Sequence, residues 1–350
     1  MKHPGYTLRC MKWEAPSSGS GSIYIDYLEF VNEVSWERMS DFQYTVNNPS
    51  DLVDFKGIYN AIPKTIPSIS ITESQRAGIQ TIKTRLNDWY FGTTTYTGNP
   101  TVTIRRNAFN NYVNQAKNRT SQLQLTKLPD GTVQGSGLFP LNFHNLTIDG
   151  VAVKSFRSIN EQFLVQLAYD AVKNNNTTSK QLVSDIFDWY YDQGWAAGSG
   201  LGTLRFEMLR SSGYFHAAYL FNEHFHAEQV DRVIDATKWF TLYGRMYQQQ
   251  TITGENADEI RTLLLPKLFT ILSLKDETEI ADGLQKFVSY AENALSLAAG
   301  FLDCFKPDYS GYHHRGVYFN AYYPDAIYTA ALVYYLLADT PYALSQTTYE

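Results

Sequence analysis

The chain is short of cysteine, short of charge and free of long apolar runs, and each shortage removes a class of protein. Only Cys10 and Cys304 occur in 350 residues, which excludes a disulfide scaffold and any cysteine-rich metal site. One long-range disulfide is open to this pair; two unpaired thiols is the simpler expectation. No apolar run approaches the roughly 18 residues that cross a bilayer, so no membrane partner is expected. Charged residues make up 18%, with 29 Lys plus Arg against 35 Asp plus Glu, for a net charge of −6. That is too little charge for a disordered chain and the wrong sign for a general nucleic-acid binder. An anionic substrate is still admissible through a local basic patch. No glycine-rich phosphate loop follows a strand, and neither His-Glu-x-x-His nor Gly-x-Ser-x-Gly is present. These absences argue against nucleotide enzymes, zincins and α/β-hydrolases. The opening Met1-Lys2-His3-Pro4-Gly5 lacks the charged and then apolar regions of a signal peptide.

Aromatic residues, by contrast, are abundant. The 26 Tyr, 20 Phe and 6 Trp make 15% of the chain. Buried aromatics build cores, and partly exposed Tyr and Trp make platforms for ring-shaped ligands such as sugars. The length suits about two domains or one large one.

Residues 1–50 read as β. Ser22 to Val31 (SIYIDYLEFV) is β-branched and aromatic on both faces, as in a strand buried on two sides or packed at a domain junction. A single hairpin's worth of strand does not stand alone. From about residue 70 the pattern turns helical. Thr72 and Gln75 form a capping box ahead of a helix over Gln75–Tyr90, and Asn107–Leu123 is a second, more polar candidate. Residues 126–157 read as a long ordered loop, a kind that is often functional. Ser158 with Glu161 opens a helix through Lys173. Further helices are expected at Ser179–Gln193, Thr203–His226, Ala227–Gln250, Ala257–Leu274 with Pro266 inside it, Thr278–Phe305 and Pro324–Leu337. Helix, short loop, helix is the grammar of αα-hairpins. No repeat of fixed period is present, so a closed array, an α/α toroid, fits better than a solenoid; an irregular bundle is the alternative.

His224-Phe225-His226 with Glu223 and Glu228 is a candidate metal cluster. The stronger reading is a helix end where histidine meets the helix dipole. Asn118-Arg119-Thr120 and Asn145-Leu146-Thr147 match glycosylation sequons, a triplet that also arises often by chance. Lys306 to Tyr323 (KPDYSGYHHRGVYFNAYY) is the richest segment. It holds His313, His314 and Arg315 with Tyr309, Tyr312, Tyr318, Tyr322 and Tyr323. His and Tyr are proton-transfer groups, and Arg meets carboxylates.

The run Pro307 to Tyr322, followed by Leu336-Leu337-Ala338-Asp339-Thr340-Pro341-Tyr342, resembles the glycosaminoglycan lyases of the chondroitinase ABC and hyaluronate lyase type. That family carries Pro-Asp, then His-x-Gly, then a tyrosine, and then a helix ending in Leu-Leu-x-Asp-Thr-Pro-aromatic. Counting back from Thr340 sets His314 on the family histidine and Tyr322 on the catalytic tyrosine. One extra residue falls between Tyr318 and Tyr322, and Tyr323 is the runner-up. Asp192-Gln193-Gly194-Trp195, then Gly198-Ser199-Gly200, resembles a cleft-lining stretch between helices. Two departures stand out. The family's His-His pair is replaced by the stretch Thr203 to Glu207, with Arg205 as a substitute carboxylate binder. The Arg that often precedes the catalytic histidine is His313 here, with Arg315 following.

The resemblance implies the tail of a jelly-roll-like β-sandwich over residues 1–50. An α/α-toroid catalytic domain would follow over 51–350, truncated at its C-terminal end. The chain then reads as a piece of a longer one, with the family's catalytic Arg and Glu downstream of Glu350. It also implies a secreted or periplasmic bacterial enzyme that acts as a monomer on an anionic polysaccharide. The substrate would be chondroitin or dermatan sulfate or hyaluronan, cleaved by β-elimination. Tyr322 would be base and acid, and His314 carboxylate binder or base. His313, Arg315, Trp195, Arg205 and Tyr318 would contact substrate. No metal or organic cofactor is required, and a structural divalent cation is left open. Two other classes compete: a catalytically incomplete glycan-binding relative, and an inverting glycoside hydrolase on a similar toroid. The hydrolase needs two carboxylates roughly 6.5–9.5 Å apart, with Asp192, Glu207 and Asp308 as candidates.

Overall fold

The structure is a computed structural model, and it describes residues 55–65, 69–93, 98–136, 147–148, 151–152, 159–198 and 212–349. The expected strand over Ser22–Val31 and the domain boundary at residue 50 lie outside these residues.

The described chain is mainly helical, and five of its helix starts carry a side-chain cap. α1 is the short helix Phe55–Asn60. α2 (Glu73–Phe91) begins at the expected capping box, in which Thr72 and Gln75 satisfy one another's backbone amides. It buries Ile79, Ile82 and Leu86 and stops at Gly92. α3 (Pro100–Arg119) starts seven residues before the expected position. Asn99 caps it, accepting from the amides of Thr101 and Val102, and Pro100 fits the first turn. The long loop carries two small antiparallel ladders. β1 (Thr126–Lys127) pairs with β2 (Val133–Gln134), and β3 (Thr147–Ile148) with β4 (Val151–Ala152).

A π turn over Asn160–Leu164 leads into α4 (Val165–Lys173); the expected cap Ser158 lies outside the described residues. α5 (Thr177–Asp192) is capped by Asn176. α6 (Ser212–Phe221) lies within the helix expected over Thr203–His226 and ends five residues short of it, in a 3-10 turn at Asn222–His224; the residues before Ser212 lie outside the described ones. α7 (Ala227–Phe240) stops ten residues short of expectation, because Leu242 turns left-handed at φ 54° and Tyr243–Tyr247 tightens into a 3-10 turn. α8 (Ala257–Glu259) runs through a π turn, Ile260–Leu264, into α9 (Leu265–Leu272). α10 (Glu277–Ala294), capped by Asp276, is also shorter than expected. Beyond it lies the sheet β5 (Cys304–Phe305), β6 (Gly311–His313) and β7 (Gly316–Val317). α11 (Tyr323–Leu337) and the single turn α12 (Gln346–Tyr349) follow.

Helices close in sequence pack on one another: α4 on α5 and α6, α6 on α9, and α9 on α7 and α10. The last long helices return to the first, since α10 and α11 both touch α2. That joint is tight. A Cβ on Gly78 of α2 would sit 2.8 Å from the Pro341 ring. Arg85 of α2 donates to the carbonyl oxygens of Tyr335 at 3.0 Å and of Leu336 and Ala338, and faces Asp339 at 3.6 Å. The Leu-Leu-Ala-Asp-Thr-Pro-Tyr stretch is therefore a structural joint that ends α11 and pins it to α2. Large aromatics fill the core, with Trp189, Tyr190, Trp195 and Tyr214 among the most buried side chains. Among the described residues, no helix is long and apolar enough to cross a membrane.

One partly buried histidine should make the fold sensitive to acid. His216 Nδ1 lies 2.7 Å from the Tyr90 hydroxyl, and its ring packs on Phe269 at 5.0 Å. Burial lowers its pKa from 6.5 to about 4. The unfolded chain takes up a proton near 6.5 and the folded chain does not until about 4. Folded-state stability is therefore fully present above 6.5 and is lost as pH falls through that window. About 2 kcal/mol should disappear between pH 7 and pH 5. Denaturant titrations at the two pH values should show this loss, and His216→Gln should abolish most of the difference.

Candidate functional site

The site is built where α8 begins. Asn256 caps this helix, its side-chain oxygen accepting from the Asp258 amide at 2.8 Å, while its Nδ2 donates to Asp303 at 3.3 Å. The run Glu255 to Arg261 is dense in charge, and the helix start divides that charge between two directions. Glu255 and Glu259 meet Arg245, Glu255 at 3.5 Å. Tyr290 donates to Glu255 at 3.3 Å, and the Lys267 ammonium lies over the Tyr290 ring at 5.1 Å. Burial pulls Lys267 down to about 8 and pushes Glu255 up. Asp258 and Arg261 take the other direction. Asp258 Oδ1 accepts from Arg261 Nε at 2.9 Å and from its terminal nitrogen at 2.6 Å.

Pro266 lies just beyond the π turn that carries Arg261. Proline has no N–H to donate back along the helix. Five residues earlier, the Arg261 carbonyl turns instead to the Thr329 hydroxyl of α11 at 3.4 Å. π turns inside α-helices gather at functional sites, and this one ties Arg261 to the helix that begins beside Tyr322.

The other half comes from β6, β7 and the start of α11. Tyr312 pairs with Val317 and His313 with Gly316, leaving His314 and Arg315 as a two-residue turn. Their φ values are 51° and 62°, the double left-handed geometry of a type I′ hairpin turn. Both side chains are exposed at its tip. Gly311 is required here: a Cβ would fall 1.9 Å from the Tyr323 ring. The Tyr323 hydroxyl donates to the Tyr309 carbonyl at 3.0 Å, and burial raises its pKa. Tyr322 also has positive φ, at 51°, but with ψ at −59°, the backbone of a γ-turn, and it turns its ring the other way.

Four of the residues singled out in the sequence come together. The Tyr322 ring centroid lies 4.4 Å from that of His313, 5.9 Å from His314 and 5.3 Å from Tyr318. The Arg261 guanidinium lies over the same ring at 4.9 Å. His313 is 2% exposed. Its Nδ1 lies 2.8 Å from Asp303 Oδ2, and its Nε2 lies 3.4 Å from Asp258 Oδ2 without hydrogen-bond alignment. His313 is thus no surface cation that draws in a polyanion, as the sequence suggested, but a core imidazole set between two carboxylates. Trp195 also departs from expectation. It is buried and stacks on Phe240 at 3.6 Å, so its faces are closed to a sugar. Arg205 and Glu207 lie outside the described residues. Arg315 is exposed beside His314.

Of the hydrolase candidates, Asp308 is engaged by Ser310, whose amide and hydroxyl hold its pKa down, and Asp192 accepts from Gln193 at 3.1 Å. Cys304 is buried and unbridged. Among the described residues, no group of three His, Cys, Asp or Glu is arranged to hold a metal ion. His226 instead faces Asp188 at 3.5 Å. Sequence reasoning missed Asp258, Arg261, Asp303 and Asn256. The available signal was a capped, charge-dense helix start shortly before an interior proline.

Comparison with known proteins gives the family. The lyase catalytic-domain model ("Lyase, catalytic") matches residues 66–350. The chain belongs to this lyase family. It is similar to a chondroitin sulfate ABC exolyase of Proteus vulgaris, 24% identical over 251 residues, covering 65% of this chain and 25% of that protein. It is also similar to a chondroitin sulfate ABC exolyase of Bacteroides thetaiotaomicron, 21% identical over 349 residues, covering 93% of this chain and 32% of that protein. The chain therefore spans a quarter to a third of the length of these relatives.

In this lyase-family chain the packing of Gly311 against Tyr323 holds the hairpin on α11. Gly311→Ala should destabilise the fold by about 1–3 kcal/mol. The loss should be less than additive when Tyr323→Ala removes the ring that clashes. Chemical denaturation of the two single variants and the double variant measures this.

Proposed function

We propose that this chain is the catalytic part of a polysaccharide lyase acting on uronate-containing glycosaminoglycan: chondroitin or dermatan sulfate, or hyaluronan. The observation that carries the reading is the setting of Tyr322, a partly exposed phenol with an imidazole on one side and a guanidinium close over its ring. Such a setting suits β-elimination at a uronic acid. The C5–H bond is weakly acidic, and the carbanion is inaccessible unless the adjacent carboxylate is neutralised. Tyr322 as phenolate takes the C5 proton, the C5–H electron pair forms the C4–C5 double bond, and the C4–O bond breaks. Tyr322 then returns its proton to the leaving oxygen. A phenol with an ordinary pKa near ~10 needs nearby positive charge to act this way, and Arg261 is the cation in place.

His314, exposed at the hairpin tip, holds the uronate carboxylate or acts as base on the epimeric uronate. Arg315 beside it attracts the polyanion, and Tyr318 lines the approach. No cofactor enters these steps. In this reading the helical hairpins are part of an incomplete α/α toroid preceded by the tail of a β-sandwich. The protein works as a monomer outside the bacterial cytoplasm. The family match and the chondroitin-lyase relatives support the reaction class.

The product decides the reaction. A lyase releases an unsaturated uronate that absorbs in the ultraviolet, a hydrolase a saturated one, and a binding protein none. In the intact protein, Tyr322→Phe should lower turnover by about 10²–10⁴-fold with little change in substrate binding. His314→Ala should lower turnover and weaken binding. Tyr323→Phe should cost about 1 kcal/mol of stability and leave turnover nearly unchanged. A dead Tyr323→Phe with an active Tyr322→Phe would sink the assignment.

A further inference from the structure

One carboxylate touches both groups that flank the proposed base. Asp258 Oδ1 accepts two hydrogen bonds from Arg261, at 2.9 and 2.6 Å, and Oδ2 faces His313 Nε2 at 3.4 Å. Arg261 lies 4.9 Å from the Tyr322 ring centroid and His313 lies 4.4 Å from it. Asp258 is 5% exposed and sits in the first turn of a capped helix, where free amides favour a negative charge. The amide of Asp258 is itself fixed by Asn256, whose side chain also holds Asp303. His313 has Asp303 on its other nitrogen at 2.8 Å.

We infer that Asp258 is a positioning residue for Tyr322: it holds Arg261 on the tyrosine ring through two hydrogen bonds, places its second oxygen beside His313, and sets the balance of charge around the tyrosine hydroxyl. The kinetic part rests on the lyase reading above; the geometric part does not. The charged and titratable groups around Tyr322 are His313, His314 and Tyr318 from the hairpin, Arg261 from the π turn and Asp258 from α8. Among the described residues, Arg315 beside His314, Asp303 from the segment before β5 and Asp325 in the first turn of α11 join them. Within this set Asp258 offsets the guanidinium. Its charge therefore opposes formation of the phenolate, while its hydrogen bonds keep the guanidinium where it favours the phenolate. Asparagine retains an acceptor for Arg261 and drops the charge. Glutamate retains the charge and displaces both partners by one methylene.

The test uses the intact protein, with uronate polysaccharide as substrate and 13C-labelled tyrosine for NMR titration. The Tyr322 signal is assigned by its loss in Tyr322→Phe. Asp258→Asn should move both the Tyr322 titration and the acidic limb of kcat/KM to lower pH by about half a unit or more. Asp258→Glu should leave both near their wild-type pH while lowering kcat roughly tenfold or more, with KM much less affected. A carboxylate that merely supports the helix start would lower thermal stability in both variants without moving either titration. That result, or a movement to higher pH, overturns the inference. If the wild type makes no unsaturated product while the Tyr322 titration still moves in Asp258→Asn, the lyase reading fails and the positioning role stands. If product forms and neither titration moves, the positioning role fails and the lyase reading stands.

Discussion

A helix that starts inside a protein must bury the polar groups of its first turn, and the rest of this site depends on how α8 does so. Buried charge is tolerated only when paired and hydrogen-bonded. The run Glu255 to Arg261 carries too much charge for one partner. The chain separates it into two clusters, Glu255 and Glu259 with Arg245 on one side and Asp258 with Arg261 and His313 on the other. The first cluster anchors the helix in the core. The second reaches the surface beside Tyr322, so the charge-paired helix start leads directly into the turn that presents the guanidinium. A functional arrangement built on a rigid element is held more closely than one built on loops alone.

The opposing half is rigid for a different reason. His314, Arg315 and Tyr322 all have positive φ, a conformation that costs non-glycine residues about 1–3 kcal/mol each. Such residues persist only where surrounding structure fixes them. Here the ladder of β5, β6 and β7, the ring of Tyr323 packed on Gly311, and the Lys306 ammonium donating to the carbonyls of Ala298, Gly300 and Leu302 provide that support. The γ-turn backbone at Tyr322 lets neighbouring tyrosines face opposite ways. Tyr323 goes inward to the Tyr309 carbonyl, and Tyr322 goes to the histidines.

The stretch from Leu336 to Tyr342, which carries the family resemblance most clearly, has no part in the site itself. It closes α11 against α2 through Arg85 and Gly78. One helix, α11, separates it from Tyr322. Counting back from Thr340 selects Tyr322, and the ring of that tyrosine faces His313.

The sequence by itself determined the helical class, most helix starts, and the segment that carries His313, His314, Tyr318 and Tyr322; the hairpin inside that segment was not foreseen. Capping boxes, apolar spacing and proline are local signals, and local signals are written in consecutive residues. Helix ends were legible less often. Leu242 and the turn after Ala294 end their helices through backbone geometry that no single residue type announces. Burial was not legible either. Trp195 and His313 had the composition of surface ligands, yet one stacks on Phe240 and the other lies between Asp258 and Asp303. Only tertiary structure could bring Arg261 to Tyr322, because 60 residues separate them in sequence and the contact depends on two helices packing in register. Pairing across such a distance is decided by the core. The charges at the start of α8 acquire a meaning for the site only after that core has formed.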